Sequence, residues 1–214
     1  MTASRVIGIS AVLLSAVILA ACGSSPNPAP STESAPAPVV KKEPVLLTGK
    51  SCFSQMVSMA ARWQPDALPF HFESEVNTES NGQAGKATIW RGMFASASRG
   101  TYKQFVCSGS RLKESPPIGV TSGAEITSAP NVAAAMFQQS YLNTDSDRAY
   151  EITQQNGGDR LIKKNPQQPV VYVLVWDGKN RQLLWVVAYG TTAKSSKDTG
   201  VIDASTGKFL RART

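Results

Sequence analysis

The stretch that decides the fold is PVVYVLVWDGKNRQLLWVVAY, residues 169–189. Two apolar runs, Val170–Trp176 and Gln182–Tyr189, flank the polar segment Asp177–Asn180. Runs of this length that are rich in valine, leucine and aromatic residues are typical of strands, and Asp and Gly favour a tight turn. The pattern therefore predicts an antiparallel β-hairpin.

The hairpin belongs to a longer pattern of one helix followed by strands. A helix is predicted over Thr144–Gln155, with Thr144 and Asp147 spaced as a capping box and Gly157-Gly158 as its end. Further β segments follow the hairpin at Val201–Asp203 and Lys208–Leu210, on either side of the turn Ala204–Gly207. Together these segments define an α-β-β-β unit.

The preceding part of the chain has the same order of elements. A helix is predicted over Cys52–Trp63 from its single apolar stripe, and Pro65 ends it. Three strands are predicted after this helix, at Leu68–Glu75, Ala87–Ser96 and Thr101–Ser108. We therefore predict an α+β protein with two α-β-β-β units, at residues 51–138 and 139–214, each a helix packed on an antiparallel sheet.

The two units share a pattern of aromatic residues. Trp90 is followed four residues later by Phe94, as Trp185 is by Tyr189, and both tryptophans fall in the middle of a predicted strand. Internal duplication of one unit explains this match. The alternative is a chance likeness between two antiparallel strands, which commonly contain Trp and Tyr.

The second unit resembles a PepSY domain. The run Pro169–Trp176, followed by Val201–Phe209 with its Val-Ile-Asp-Ala-Ser-Thr-Gly sequence, is similar to the Val-Asp-Ala-x-Thr-Gly-x-Val hairpin of that family, and the likeness covers Asp145–Arg211. The first unit departs from it, since Phe105–Gly109 stands where this turn belongs. Tandem PepSY-like units resemble the architecture of the β-lactamase inhibitory protein. The resemblance implies a non-catalytic module that binds or restrains an extracytoplasmic enzyme.

The amino-terminal sequence is typical of a protein that is exported to the cell envelope. Residues 1–21 form a signal peptide, since the apolar run Val6–Ala21 follows Arg5 and is shorter than the roughly 20 residues of a membrane-spanning helix. Leu19–Gly23 resembles a bacterial lipobox, which implies cleavage before Cys22 and lipid on that cysteine. Because Gly23 rather than Asp follows, we expect the outer membrane. The alternative is an ordinary secretory signal with a chance cysteine.

Residues 22–50 are predicted to be the lipidated cysteine and a tether. Six of the 13 prolines lie between Ser25 and Val45, among Ser and Ala residues without an apolar period. Such a segment cannot bury enough surface to fold by itself. It would connect the membrane to the folded part of the protein.

The other two cysteines are predicted to form a disulfide. Cys52 and Cys107 are an even pair in an oxidising compartment. The alternative is a thiolate nucleophile with a basic partner, and His71 is the only histidine. In an alternating strand segment we interpret His71 as structural.

Composition and motifs exclude several functions. The net charge of +7 is too diffuse for a nucleic-acid reader and supports at most a mild attraction to acidic lipids or an acidic partner, if it is more than a solvated basic face. Asn143, Asp145 and Asp147 lack the Gly and Glu that complete an EF-hand loop. We predict no catalytic residue, metal site or cofactor.

The strand at 170–176 is apolar on both faces. One face carries Val170, Tyr172, Leu174 and Trp176, and the other carries Val171, Val173 and Val175. Either the two units pack face to face, or the aromatic face is a concave surface that a partner covers. For the second case the predicted anchors are Trp90, Phe94, Trp176, Trp185 and Tyr189. Core packing is the alternative role for at least half of them.

If all five aromatic residues are core, the binding surface is expected in the loops around Arg99 and Lys194–Lys197.

The predicted function is a non-enzymatic binding module, anchored to a membrane through Cys22, with a protein partner in the envelope. One alternative is an envelope hydrolase of unfamiliar fold, which would place His71 in a cleft beside Asp66, Glu73 or Glu75. Another is a passive structural lipoprotein.

Replacing the lipobox cysteine tests the anchor. In the Cys22→Ala variant no lipid can be attached, so the protein should move from the membrane pellet to the soluble periplasmic fraction. Immunoblots of fractionated cells measure this. A variant that still sediments with membranes would remove the lipobox interpretation.

Overall fold

The structure is a computed structural model that describes residues 42–213, with side chains up to Ala212. The predicted signal peptide, Cys22 and the tether up to residue 41 lie outside the described residues. Within the described part, no helix is both long and apolar enough to cross a membrane.

Helices and strands alternate in the order expected for two similar halves. The helices are α1 (Gly49–Trp63), α2 (Val132–Ala135), α3 (Ser146–Thr153) and α4 (Asp159–Lys164). The strands are β1 (Leu47–Thr48), β2 (Leu68–Glu75), β3 (Lys86–Ala87), β4 (Ile89–Ser96), β5 (Thr101–Ser108), β6 (Gly119–Thr127), β7 (Val170–Asp177), β8 (Gln182–Tyr189), β9 (Thr199–Asp203) and β10 (Phe209–Arg213). The predicted α+β class is confirmed.

Two details of the prediction are corrected. The first half contributes four strands to the main sheet rather than the predicted three, because the small and polar residues of β6 form an exposed edge strand without an apolar period. The second half's helix begins after Asp145, whose carboxylate accepts the Ser146 N–H at 2.6 Å. Thr144 and Asp147 therefore do not form a capping box, and α3 ends at Thr153 before a turn at 154–158.

Eight of the strands form one antiparallel sheet. Their order is β10-β9-β8-β7-β2-β4-β5-β6, so β2 and β7, the first long strands of the two halves, pair at its centre. In that pairing Phe72 lies opposite Leu174 and Glu73 opposite Val173. The expectation that the two units pack face to face is wrong, because they join edge to edge in one sheet.

The helices cover one face of this sheet. A row of residues on that face crosses six strands through matched pairs: Phe105, Gly92, Phe72, Leu174, Trp185 and Ile202. The adjacent row on the open face is Val106, Arg91, Glu73, Val173, Val186 and Val201. The open face is thus charged near Arg91 and Glu73 but apolar in the second half, where Val175 is 41% exposed.

Four aromatic side chains meet where the halves join. Phe72 stacks on Trp90 with ring centroids 5.1 Å apart, and Trp90 and Trp185 meet edge to face at 6.3 Å. Tyr172 lies 6.1 Å from Trp90 and 6.4 Å from Trp185. We refer to Phe72, Trp90, Tyr172 and Trp185 as the aromatic quartet. All four residues are fully buried, so the halves share one core.

Each tryptophan of the quartet makes the same hydrogen bond in its own half. The Trp90 indole N–H donates to the Leu47 carbonyl at 2.9 Å, and the Trp185 indole N–H donates to the Thr144 carbonyl at 2.8 Å. In both cases the carbonyl belongs to the residue just before the N-cap residue of the helix, Thr48 or Asp145. This equivalence is what an internal duplication predicts.

The start of α1 is capped by the other half. Its own preceding residue, Thr48, makes no side-chain capping bond. Instead the Gly49 N–H donates to the Ser146 hydroxyl oxygen at 2.7 Å, and the Lys50 N–H donates to the Asp145 carboxylate at 2.7 Å. The Ser146 hydroxyl in turn donates to the Gly85 carbonyl at 2.6 Å. The two helix starts are therefore held together by polar contacts above the quartet.

The predicted disulfide is present. Cys52 of α1 and Cys107 of β5 are bonded, with their Cα atoms 5.6 Å apart, and both residues are buried. The bond fixes the first helix to the third long strand of its half, as the sequence predicted.

The capping of α1 by Ser146 of the second half can be tested by a matched pair of substitutions. Ser146→Ala leaves the buried Gly49 N–H and Gly85 carbonyl without their partner, so we expect a loss of about 2–4 kcal/mol in unfolding free energy. Thr48→Ala removes no capping bond and should cost less than about 1 kcal/mol. Urea denaturation followed by circular dichroism measures both. Equal losses would show that α1 is capped by its own residue.

Candidate functional site

The predicted aromatic anchors lie mostly in the core. Trp90, Phe94 and Trp185 are fully buried, and Tyr189 is only 7% exposed. Their burial favours the alternative role of core packing for these four, because they face the helices rather than solvent. Trp176 is half-buried and lies against Tyr141, with ring centroids 5.0 Å apart.

Tyr189 nevertheless borders a cavity. A groove of about 260 Å³ lies between the turn that follows α3 and the strands β9 and β10. We call it the β9–β10 groove. Its lining residues are Thr153, Asn156, Gly157, Gly158, Arg160, Leu161, Tyr189, Asp198, Thr199, Gly200, Phe209 and Ala212.

The groove marks a place where the two halves differ. In the next strand of each half, Cys107 lies opposite Trp90 and Ile202 lies opposite Trp185. Two positions before these partners, the first half has Phe105 and the second half has Gly200. Gly200 therefore stands where the first half carries an aromatic ring.

In the first half that ring is packed from two sides. Phe105 meets Phe94 edge to face at 5.3 Å, and Trp63 from the end of α1 lies 6.5 Å away. In the second half α3 ends at Thr153, whose methyl carbon lies 2.2 Å from where a Gly200 Cβ would be. A side chain at position 200 would therefore collide with Thr153, and the groove opens beyond this contact, over β9 and β10, where α3 has ended.

The turn after α3 forms one wall of the groove. Gly157 has φ +104°, a conformation that favours glycine, and a Cβ on Gly158 would lie 1.9 Å from the Tyr189 hydroxyl oxygen. Gln154 donates to that oxygen at 2.8 Å. Burial raises the pKa of Tyr189 above its ordinary value, so the phenol is neutral at physiological pH.

The groove has an apolar floor and carries one charged residue of each sign. Leu161, Phe209 and Ala212 supply apolar surface, whereas Arg160 and Asp198 supply opposite charges. No carboxylate oxygen within residues 42–212 lies within 4 Å of the Arg160 guanidinium. The neighbouring acid is already paired, since the Lys163 ammonium 2.7 Å away lowers the pKa of Asp159.

The only histidine lies on the open face of the sheet. His71 Nε2 is 3.3 Å from a Glu73 carboxylate oxygen, and this hydrogen bond lowers the pKa of Glu73. The His71 side chain is 34% exposed and the Glu73 side chain is 41% exposed. The adjacent cavity of about 190 Å³ is lined by Glu73, Glu75 and Arg91, but not by His71. Asp66 is elsewhere, bonded to Ser96. The arrangement required for the hydrolase alternative is therefore incomplete.

Two loops were predicted to form the binding surface if the aromatic residues are core, and they lie at different places in the fold. Arg99 is bonded to Glu125 at 3.0 Å beside β6. The loop with Lys194 and Lys197 leads directly into Asp198 and Thr199 of the groove. Gly200, Arg160 and Phe209 were not predicted as site residues from the sequence, although aligning the strands that follow the two tryptophan strands would have set Gly200 against Phe105.

Comparisons with known proteins support the fold and leave the family open. The sequence matches no protein-family model and no curated protein. The structure is similar to the crystal structure of a candidate lipoprotein from Clostridium difficile 630, with a TM-score of 0.50 and 10% sequence identity, over 82% of this chain and 97% of that chain. At this identity the likeness concerns the fold alone.

The close packing of the groove wall predicts a strong glycine requirement. Gly158→Ala places a methyl group against the Tyr189 hydroxyl and should cost about 2–4 kcal/mol of unfolding free energy. The cost should be smaller in a Tyr189→Phe background, which removes the nearest atom. Gly178→Ala is the matched control, because the nearest atom is 3.7 Å away, and should change stability by less than about 1 kcal/mol. Equal costs for the two glycines would contradict this geometry.

Proposed function

We propose that this protein is a non-enzymatic binding module, held by lipid on Cys22 to a membrane that faces the periplasm, and that it binds its partner at the β9–β10 groove. The observation that carries the proposal is the difference between the halves. Where the first half fills the space over its third long strand with Phe105 and Trp63, the second half leaves a groove lined by apolar and charged side chains.

The anchor is supported by two independent observations. The lipobox-like Leu19–Gly23 closes an apolar signal segment. A protein of similar fold is described as a candidate lipoprotein. The outer membrane is our proposed location, from Gly23 after the cysteine.

The kind of partner follows from the PepSY-like second unit. Its Asp203–Gly207 turn is held by the Asp203 carboxylate, which accepts the N–H groups of Ser205 and Thr206 at 2.8 and 3.0 Å. The Ala204 carbonyl accepts the N–H of Thr144 at 2.8 Å just before α3, so the turn packs on the helix entry. On this resemblance we propose that the module restrains or chaperones an envelope enzyme.

Site-specific photocrosslinking in living cells tests the proposal with the full lipidated protein. A benzophenone amino acid at Lys208, an exposed residue beside Phe209, should give an adduct with a protein of the envelope. The same probe at Lys113, an exposed residue of the first half, should not. Mass spectrometry of the adduct then shows whether the partner is an enzyme.

A second substitution links the adduct to the groove. Ala212→Trp fills the groove from the exposed edge strand and should abolish the Lys208 adduct, whereas Ile126→Trp on the opposite edge should leave it unchanged. Adducts of equal yield at both lysines, or an adduct that survives Ala212→Trp, would contradict binding at this site. Cells without any adduct would favour the passive structural alternative.

A further inference from the structure

We propose that the β9–β10 groove receives an aromatic side chain from an extended, acidic segment of the partner, and that this segment pairs along β10 as an additional strand. The inference rests on the proposed binding function and specifies the chemistry of the partner.

The first half shows which kind of side chain the site accepts. Phe94 and Tyr189 occupy equivalent positions, four residues after the two tryptophans. Phe94 is in edge-to-face contact with Phe105, the residue whose equivalent is Gly200. The second half thus keeps the aromatic neighbour but lacks the ring that packs against it. Aromatic pairs in this geometry are stabilising beyond their buried area, so a ring supplied by a partner would complete the contact.

The position of the groove at a sheet edge indicates how the ring arrives. β10 is the last strand of the sheet, and no strand of the described residues pairs with its outer side. Phe209 and Ala212 of this strand line the groove. An extended peptide that adds to such an edge gains main-chain hydrogen bonds and places alternate side chains over the adjacent pocket.

Near the opposite edge of the sheet, the corresponding space is filled by Trp63. There Trp63 lies against Phe105 and donates its indole N–H to Glu125 of β6 at 3.0 Å. The Lys103 ammonium also lies over the Trp63 ring, 5.4 Å from its centroid. The helix end and its contacts therefore cover the space that is open in the second half.

Charge complementarity indicates an acidic segment. Arg160 lines the groove, Lys208 is exposed next to Phe209, and Arg211 is exposed on the open face of the same edge strand, opposite Val201. Asp198 is the opposing charge, while Asp159 is paired with Lys163. A segment with carboxylates beside its aromatic residue would meet more basic than acidic groups.

Titration of a synthetic peptide tests this inference directly. The probe is a seven-residue peptide with a central phenylalanine, a glutamate on each side of it and β-branched residues elsewhere. The protein is ¹⁵N-labelled residues 22–214 carrying Cys22→Ser, which contains the whole compact unit of residues 41–214. We expect amide shifts concentrated at Gly200 and at residues 209–212. Replacing phenylalanine by alanine should weaken binding about tenfold or more, and replacing both glutamates by lysines should weaken it at low salt.

Three protein variants, one of them a control, locate the contact. Ala212→Trp should abolish the shifts, and Ile126→Trp should leave them unchanged. Arg160→Glu changes an exposed residue and should weaken binding of the glutamate peptide but not of the lysine peptide. This test does not depend on how the protein accommodates the tryptophan of Ala212→Trp. Equal binding of the phenylalanine and alanine peptides, shifts elsewhere on the protein, or no shifts at all would overturn the inference. If the crosslink at Lys208 is retained in that case, the proposed function stands with a partner of different chemistry, and loss of both would reject the two together.

Discussion

The contact on which the rest of the structure depends is the aromatic quartet between the halves. Phe72 and Trp90 from the first half interlock with Tyr172 and Trp185 from the second, and none of the four is accessible to solvent. Aromatic side chains of this size bury the largest areas available to a protein core. Rings from the two halves contact one another here, so the eight-stranded sheet and its helices share one core.

Polar contacts above the quartet specify how the helices enter. Each indole N–H binds the carbonyl just before its own helix, while Ser146 and Asp145 cap the first helix from the second half. A buried Gly49 allows this approach, since a Cβ there would lie 2.9 Å from Trp185 and 3.0 Å from Trp90. The two indole hydrogen bonds are thus symmetric, whereas the capping runs in one direction, from the second half to the first helix. The groove lies away from this centre, where Gly200 of the second half corresponds to Phe105 of the first.

Much of the fold could be predicted from the sequence because its strands are locally encoded. Leu68–Glu75, Thr101–Ser108 and Gln182–Tyr189 were predicted with the bounds that the structure has, since apolar runs between turn residues define them. β6 was missed because an exposed edge strand needs no apolar face. The edge-to-edge pairing of β2 with β7 could not be predicted, because it depends on residues about a hundred positions apart. The site was harder still. The β9–β10 groove depends on the absence of a side chain at Gly200 and on the early end of α3. Most of the aromatic residues that stand out in the sequence pack in the core instead.

The central claim is that the halves fold as one unit through the quartet, and native-state hydrogen exchange tests it most directly. Trp90→Leu removes a first-half ring and should lower the opening free energy of the protein by about 3 kcal/mol. If the account is correct, the amides of β8 in the second half lose as much protection as those of β4 beside the substitution. A loss confined to β4 and β5, with β8 unchanged, would contradict a shared core.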